Sequence, residues 1–202
     1  MKPAQLDIKF RSHGGRRAGA GRRRGARVSH DARPRFRKLP VHTTLRVRPD
    51  VRSLRRPDLF EAVTGAINEG AQRPRFRVVH FSVLGNHLHL IVEADDQQAL
   101  SRGMQGLGIR MARALNRALR RRGPVFADHY HAHHLRSPTE TARAVAYVLG
   151  NFRHHFGDAG LAPGFIDPCS SEARFDAVAQ PCTWLLTVGL RRARPATGAG
   201  DG

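Results

Sequence analysis

Two neighbouring runs of β-forming residues, separated by a two-residue turn, constrain the fold of this chain more than any other feature. The first run extends from Arg75 to Leu84, and the second extends from His87 to Val92. Between them lies Gly85-Asn86, and a turn of this length and composition typically joins antiparallel strands. The sequence therefore predicts an antiparallel β-hairpin over residues 75–92.

Strand and helix patterns on both sides of the hairpin predict the class of fold. Apolar and polar residues alternate from Val41 to Arg48, as in a half-buried strand. The other predicted elements are helices at 58–69 (capped by Asp58) and 97–121, a strand at 129–136, and a helix from its N-cap Ser137 to about residue 154. The order β-α-β-β-α-β-α predicts an α+β fold, namely a ferredoxin-like sandwich with an antiparallel sheet and its helices on one side.

The N-terminal residues carry more than half of the excess positive charge. The chain has 35 Lys and Arg against 16 Asp and Glu, a net charge of +19, and residues 1–40 contribute 13 basic and two acidic residues. Because the Gly/Arg-rich stretch at 14–25 has no apolar periodicity, we expect a flexible basic arm. Such a surplus indicates a polyanionic partner. The candidate DNA-binding residues of the arm are Arg16, Arg17, Arg22, Arg23 and Arg24. A solubilising tail is the alternative interpretation.

The long helix predicted at 97–121 has a second set of basic residues. Arg110, Arg113 and Arg117 fall largely off its apolar stripe, so they form a basic helix surface. These three residues are candidate contacts for DNA phosphates. A solvated helix face explains the same pattern, so both interpretations remain open at this point.

The rest of the composition gives no sign of a membrane span or of a disulfide-rich fold, and it indicates how the chain divides into parts. No run approaches the roughly 18 apolar residues that a membrane span needs, and no apolar signal region follows the N-terminus. The two cysteines, Cys169 and Cys182, are too few for a disulfide framework or a four-cysteine zinc site. We therefore expect a reduced, cytoplasmic protein. Its expected parts are the arm at 1–40, a folded domain at 41–165 and a partly disordered C-terminal extension at 166–202.

Two histidines alternate on the second strand of the hairpin. His87 and His89 project from the same face of a strand, with their Cα atoms about 7 Å apart. This spacing suits a single cation held between the two imidazoles. Burial of the two rings without partners would be unfavourable, so hydrogen-bonded structural histidines are the other interpretation.

A tyrosine and an asparagine form a second pair on the last predicted helix. Tyr147 and Asn151 are four residues apart, so their side chains share one helix face. A helical tyrosine often only packs with its hydroxyl at the surface.

His129, His131 and His133 alternate on the predicted strand before this helix. They are either a structural zinc site or, as we expect, neighbours of the active face that contact DNA or metal ligands.

The segment from Val83 to Val92, which reads VLGNHLHLIV, resembles the histidine–hydrophobe–histidine strand of HUH-type single-tyrosine transposases. The resemblance is closest to the REP-associated tyrosine transposases, which carry a Tyr followed four residues later by Asn, as in Tyr147 and Asn151 here. It covers about residues 40–155, and the Gly/Arg arm also occurs in relatives. Phe152 is a departure, because many relatives have Pro there.

This resemblance implies an activity and a set of catalytic residues. It implies a divalent cation, Mg²⁺ or Mn²⁺, held by His87, His89 and Asn151 at a scissile phosphate of single-stranded DNA. It also implies that Tyr147 attacks phosphorus to give a 5′-phosphotyrosine and a free 3′-hydroxyl. The expected partner is single-stranded DNA, with hairpin or palindromic repeats, and the expected location is the bacterial nucleoid.

Two other functions remain compatible with the sequence. One is a non-catalytic, domesticated nucleic-acid-binding protein that uses the same basic surface. The other is a relaxase or replication-initiator nickase, which has the same chemistry and a different biological role. The sequence does not decide between a monomer and a homodimer.

Overall fold

The computed structural model describes residues 38–157 and 160–193. The five arginines assigned to the arm lie outside the described residues. The strands are β1 (Val41–Arg46), β2 (Gln72–Arg73), β3 (Phe76–Val83), β4 (His87–Ala94) and β5 (His131–His134). The α-helices are α1 (Pro57–Ala71), α2 (Gln97–Ala118), α3 (Pro138–Leu149), α4 (Asn151–Phe156) and α5 (Leu190–Arg192). A 3₁₀ turn at Phe175–Ala177 and a π-helical segment at Leu185–Gly189 complete the described secondary structure.

The five strands form one antiparallel sheet in the order β2-β3-β4-β1-β5. β3 and β4 form the predicted hairpin, and β4 pairs with β1 on its other side. Without the short β2, the chain order β1-α1-β3-β4-α2-β5 and this strand order define the ferredoxin-like arrangement. The predicted α+β class is therefore confirmed.

Alternation along β4 divides the sheet into two faces. Leu88, Leu90 and Val92 point into the main core, which α1 and α2 cover. His87, His89 and Ile91 point to the other face, where a smaller cluster around Ile91 and Val148 joins α3 to the sheet. The helices α1 and α2 share one side, as predicted, and α3 adds a partial layer on the opposite side.

Helix ends explain two differences from the predicted boundaries. α1 starts at Pro57 and not after Asp58, because the fixed φ of proline suits the first helical position. The Ser137 side chain caps α3 by accepting the backbone N–H of Glu140, as predicted. The last predicted helix ends at Leu149, and Gly150 separates it from the short helix α4.

Residues 166–193 pack against the folded domain. The backbone of Ser171 is bonded to that of Phe81, and the N–H of Ala179 donates to the carbonyl of Val78. These contacts cover the part of β3 that the two-residue strand β2 leaves unpaired. The buried carboxylate of Glu93 accepts the backbone N–H groups of Cys182 and Thr183. No helix within the described residues is long and apolar enough to cross a bilayer.

Candidate active site

His89 lies at the centre of the candidate site and is almost fully buried. Its Nδ1 lies 3.0 Å from His42 Nε2 and 3.1 Å from Thr44 Oγ1, both on the neighbouring strand β1. Its Nε2 is buried and has no hydrogen-bond partner among the described residues. Burial, reinforced by the nearby imidazoles of His42, His87 and His155, lowers the pKa of His89 to about 3. The ring is therefore neutral at physiological pH.

His87 lies beside His89 and is more accessible. The two ring centroids are 5.0 Å apart. His87 Nδ1 lies 2.7 Å from the side-chain oxygen of Asn86. Because that oxygen can only accept, the ring donates from Nδ1 and keeps an unprotonated Nε2. Burial lowers the pKa of His87, and the proximity of His155 and Arg46 lowers it further.

Tyr147 reaches the same face of the sheet from α3. The fully buried Val148 anchors the helix in the smaller core cluster. The Tyr147 ring lies edge-on to His89, with centroids 5.4 Å apart, and is 6.0 Å from the His42 ring. The residue is 36% exposed, so it lies at the protein surface. His154 of α4 lies on its other side, at a ring distance of 5.4 Å.

Asn151 opens α4 and is completely buried. Neither its side-chain oxygen nor its side-chain nitrogen has a hydrogen-bond partner among the described residues. Its position depends on the break at Gly150, where a Cβ atom would lie 2.9 Å from the Ala146 carbonyl oxygen. A buried amide without partners is unfavourable, so both polar atoms of Asn151 are open to a group outside the described residues.

The donor set fits a divalent cation. Two imidazole nitrogens and an amide oxygen are mixed N/O ligands. Two of these three atoms, His89 Nε2 and Asn151 Oδ1, are buried and have no hydrogen-bond partner among the described residues. Within residues 38–157 and 160–193, no group of three or more His, Cys, Asp or Glu has a metal-binding arrangement. The candidate set of His87, His89 and Asn151 has only two such residues and an amide, so its role as a metal site remains a prediction.

The strand histidines His129, His131 and His133 have exposed positions on or before β5. His129 Nδ1 lies 3.3 Å from Asp128, and His133 Nε2 lies 2.6 Å from Glu140. His131 is paired in register with Thr44, which places it on the sheet face that carries His89. Their expected contacts with DNA or with the metal ligands remain predictions.

Three further histidines near the site were not assigned to it from the sequence. His42 lies on the polar face of the alternating β1 pattern. This alternation is the sequence feature from which its place on that sheet face could have been predicted. His155 lies with its ring 5.3 Å from that of His87. His154 and His155 follow Tyr147 by seven and eight residues, a spacing that would return to one face of the single helix predicted from the sequence.

The basic surface of α2 lies on the other side of the sheet from this site. Arg110 is partly buried, and its guanidinium covers Gly70, where any Cβ would collide with it. Arg113 and Arg117 are exposed and line a cavity of about 580 Å³. The cavity is also lined by Asn116, Arg120, Arg121, Arg122 and Gly123.

The fold and the site together define a ferredoxin-like α+β protein with a histidine pair facing a helical tyrosine. The structure of a REP-associated tyrosine transposase bound to a REP hairpin has a similar fold, with a TM-score of 0.58 and 17% sequence identity. The alignment covers 86% of this chain and 93% of that protein. The resemblance drawn from the sequence is thus confirmed as a likeness of fold.

A second solved structure, a candidate transposase from Deinococcus radiodurans, aligns with a TM-score of 0.42 and 16% identity. That alignment covers 54% of this chain and 87% of the other. No protein-family model and no curated protein sequence matches the chain significantly.

Proposed function

We propose that the protein is a transposase that nicks and rejoins single-stranded DNA through a covalent link to Tyr147. The observation that carries this proposal is the convergence of Tyr147 with His87 and His89 on one sheet face, where His89 Nε2 is buried and has no partner among the described residues. Buried polar atoms usually have a hydrogen-bond partner, so this unpaired nitrogen supports a bound group at the site.

The proposed reaction conserves the phosphodiester energy. The phenolic oxygen of Tyr147 forms a bond to phosphorus, the bond from phosphorus to the 3′ oxygen breaks, and the proton lost by the phenol is balanced by one gained at the leaving oxygen. A phenol is a weak nucleophile at neutral pH, because little of it is present as phenolate. A Mg²⁺ or Mn²⁺ ion bound by His87, His89 and Asn151 would polarise the scissile phosphate. In the reverse reaction, the 3′-hydroxyl of another strand attacks the phosphotyrosine and displaces the Tyr147 oxygen. The strands are thereby rejoined without ATP.

The proposed substrate is a single-stranded DNA that folds into a hairpin. The large positive charge of the chain favours a nucleic-acid partner. The REP-associated transposase with a similar fold was solved with a REP hairpin. We extend that class of partner to this chain, with Arg113, Arg117 and the five arginines of the basic arm as the proposed contacts to phosphates.

The test is a comparison of two Tyr-to-Phe variants with a hairpin-bearing single-stranded oligonucleotide and Mg²⁺ or Mn²⁺. We expect the wild-type protein to form a covalent protein–DNA adduct on a denaturing gel. Tyr147→Phe should form none, while it binds the DNA as well as the wild type does. Tyr130→Phe is the matched control, because Tyr130 packs against the main core, and it should keep the adduct.

Three outcomes would change the assignment. An adduct that persists in Tyr147→Phe and disappears in Tyr130→Phe would move the nucleophile. DNA binding without any adduct in the wild type would favour the non-catalytic binding protein. Specific nicking of an origin-like DNA without strand joining would favour a nickase of the relaxase or replication-initiator type.

A further inference from the structure

We propose that His42 and Thr44 are positioning residues that hold His89 in the form that binds a cation. This inference rests on the proposed function, because it concerns the same cation site. It assigns a role to two β1 residues that do not themselves belong to the ligand set.

The geometry on the Nδ1 side of His89 supports this role. A neutral imidazole carries a proton on one nitrogen and a lone pair on the other. His42 Nε2 and Thr44 Oγ1 are within 3.0 and 3.1 Å of Nδ1, so both can accept its proton. The lone pair then lies on Nε2, the buried nitrogen that has no partner among the described residues.

The alternative tautomer would be incompatible with a cation. With the proton on Nε2, His89 would place a buried N–H donor where the ligand atom is needed, and that donor would have no acceptor in the described residues. A buried donor without a partner is unfavourable. Only the form with the proton on Nδ1 satisfies both nitrogens when a cation is bound.

His87 offers an internal comparison. Its Nδ1 is held by the side-chain oxygen of Asn86 at 2.7 Å, which also leaves Nε2 unprotonated. Both candidate ligands are thus fixed through Nδ1, one by an adjacent residue of the turn and the other by the neighbouring strand. The β1–β4 register places Thr44 directly opposite His89, and the His42 ring lies 5.2 Å from the His89 ring.

The first test measures Mn²⁺ binding by calorimetry, without DNA. In metalloproteins, loss of such a hydrogen-bond partner lowers metal affinity about 10- to 100-fold. We expect that loss in the double variant His42→Ala/Thr44→Val. The double variant His42→Gln/Thr44→Val should regain most of the affinity, because the Gln side-chain oxygen can take the place of His42 Nε2. His80→Gln, a histidine replacement on the same sheet face, should bind Mn²⁺ like the wild type.

Two results would overturn the inference while the proposed cation site stands. One is a His42→Ala/Thr44→Val variant that binds Mn²⁺ within twofold of the wild type. The other is a ¹⁵N NMR spectrum of the wild-type protein with Mg²⁺ or Zn²⁺ in which His89 carries its proton on Nε2. The NMR measurement needs no variant, so it holds even if the double variants do not fold. A wild-type protein that binds no divalent cation would overturn the cation site itself.

Discussion

The buried imidazole of His89 couples the stability of the protein to pH. Its pKa is about 3 in the folded protein and 6.5 in an exposed reference, because burial disfavours the charged ring. Between these values the unfolded chain binds a proton that the folded protein does not. Stability is therefore fully present above the unfolded pKa and is lost as the pH falls below it.

We predict that the free energy of unfolding decreases by up to about 1.4 kcal/mol per pH unit below 6.5 from His89 alone. Burial also lowers the pKa values of His42, His80 and His87, so these rings act in the same direction. The measurement is urea unfolding at pH 7 and pH 5 in a buffer with a chelator. His89→Gln should show a shallower pH dependence. Equal dependence in both proteins would contradict this explanation.

The sequence predicted the relative placement of the candidate site residues better than it predicted their neighbours. The two-residue period of a strand was sufficient to place His87 and His89 on one face, because it is a local property. The contact between His89 and His42 depends on the register between β1 and β4, which are separated by more than 40 residues. Spacing along the chain does not encode that register, so His42 could be described only as a polar residue of its strand.

Among the elements, α2 approaches the sheet closely because it has a glycine at the contact. A Cβ atom at Gly103 would lie 2.2 Å from ring atoms of the buried Phe76. We predict that Gly103→Ala destabilises the protein by about 1–3 kcal/mol, since the core would be overpacked.

Gly65 on α1 provides the matched control for this prediction. No atom lies within 4 Å of a Cβ built there. Gly65→Ala should stabilise the protein by about 0.5–1 kcal/mol through the higher helix propensity of alanine. Both values come from chemical denaturation. A Gly103→Ala protein as stable as Gly65→Ala would show that α2 shifts to accommodate the methyl group.

Elements with a clear period could be predicted from the sequence, whereas the path of the segment after residue 165 has no local signal of this kind. The hairpin and α2 follow from alternation and from the apolar stripe of one helix. The stretch from Asp167 to Leu186 has no such period, but it contributes buried residues to both core clusters. Its path follows from hydrogen bonds to β3 and from Glu93, which are long-range contacts.

For the molecule as a whole, the sheet separates two surfaces that a nucleic acid could use. Tyr147 and the histidine pair lie on the face with α3, whereas Arg113 and Arg117 lie on α2 at the opposite face. A strand that contacts both surfaces would have to pass an edge of the sheet. The basic arm is a separate source of positive charge, and its arginines lie outside the described residues.

We predict that the arm supplies most of the phosphate contacts and contributes little to folding. Residues 1–38 contain 13 basic and two acidic residues. Each phosphate contact on single-stranded DNA contributes about 0.7 to the slope of log affinity against log salt. Deletion of residues 1–38 should leave a cooperatively melting protein that binds a single-stranded hairpin more weakly and with a flatter slope.

Arg113→Gln/Arg117→Gln in the full chain should lower the slope by about 1.4 if both helix arginines contact phosphates. An unchanged slope in that variant would identify the α2 surface as solvated, and an unchanged slope after the deletion would refute the role of the arm.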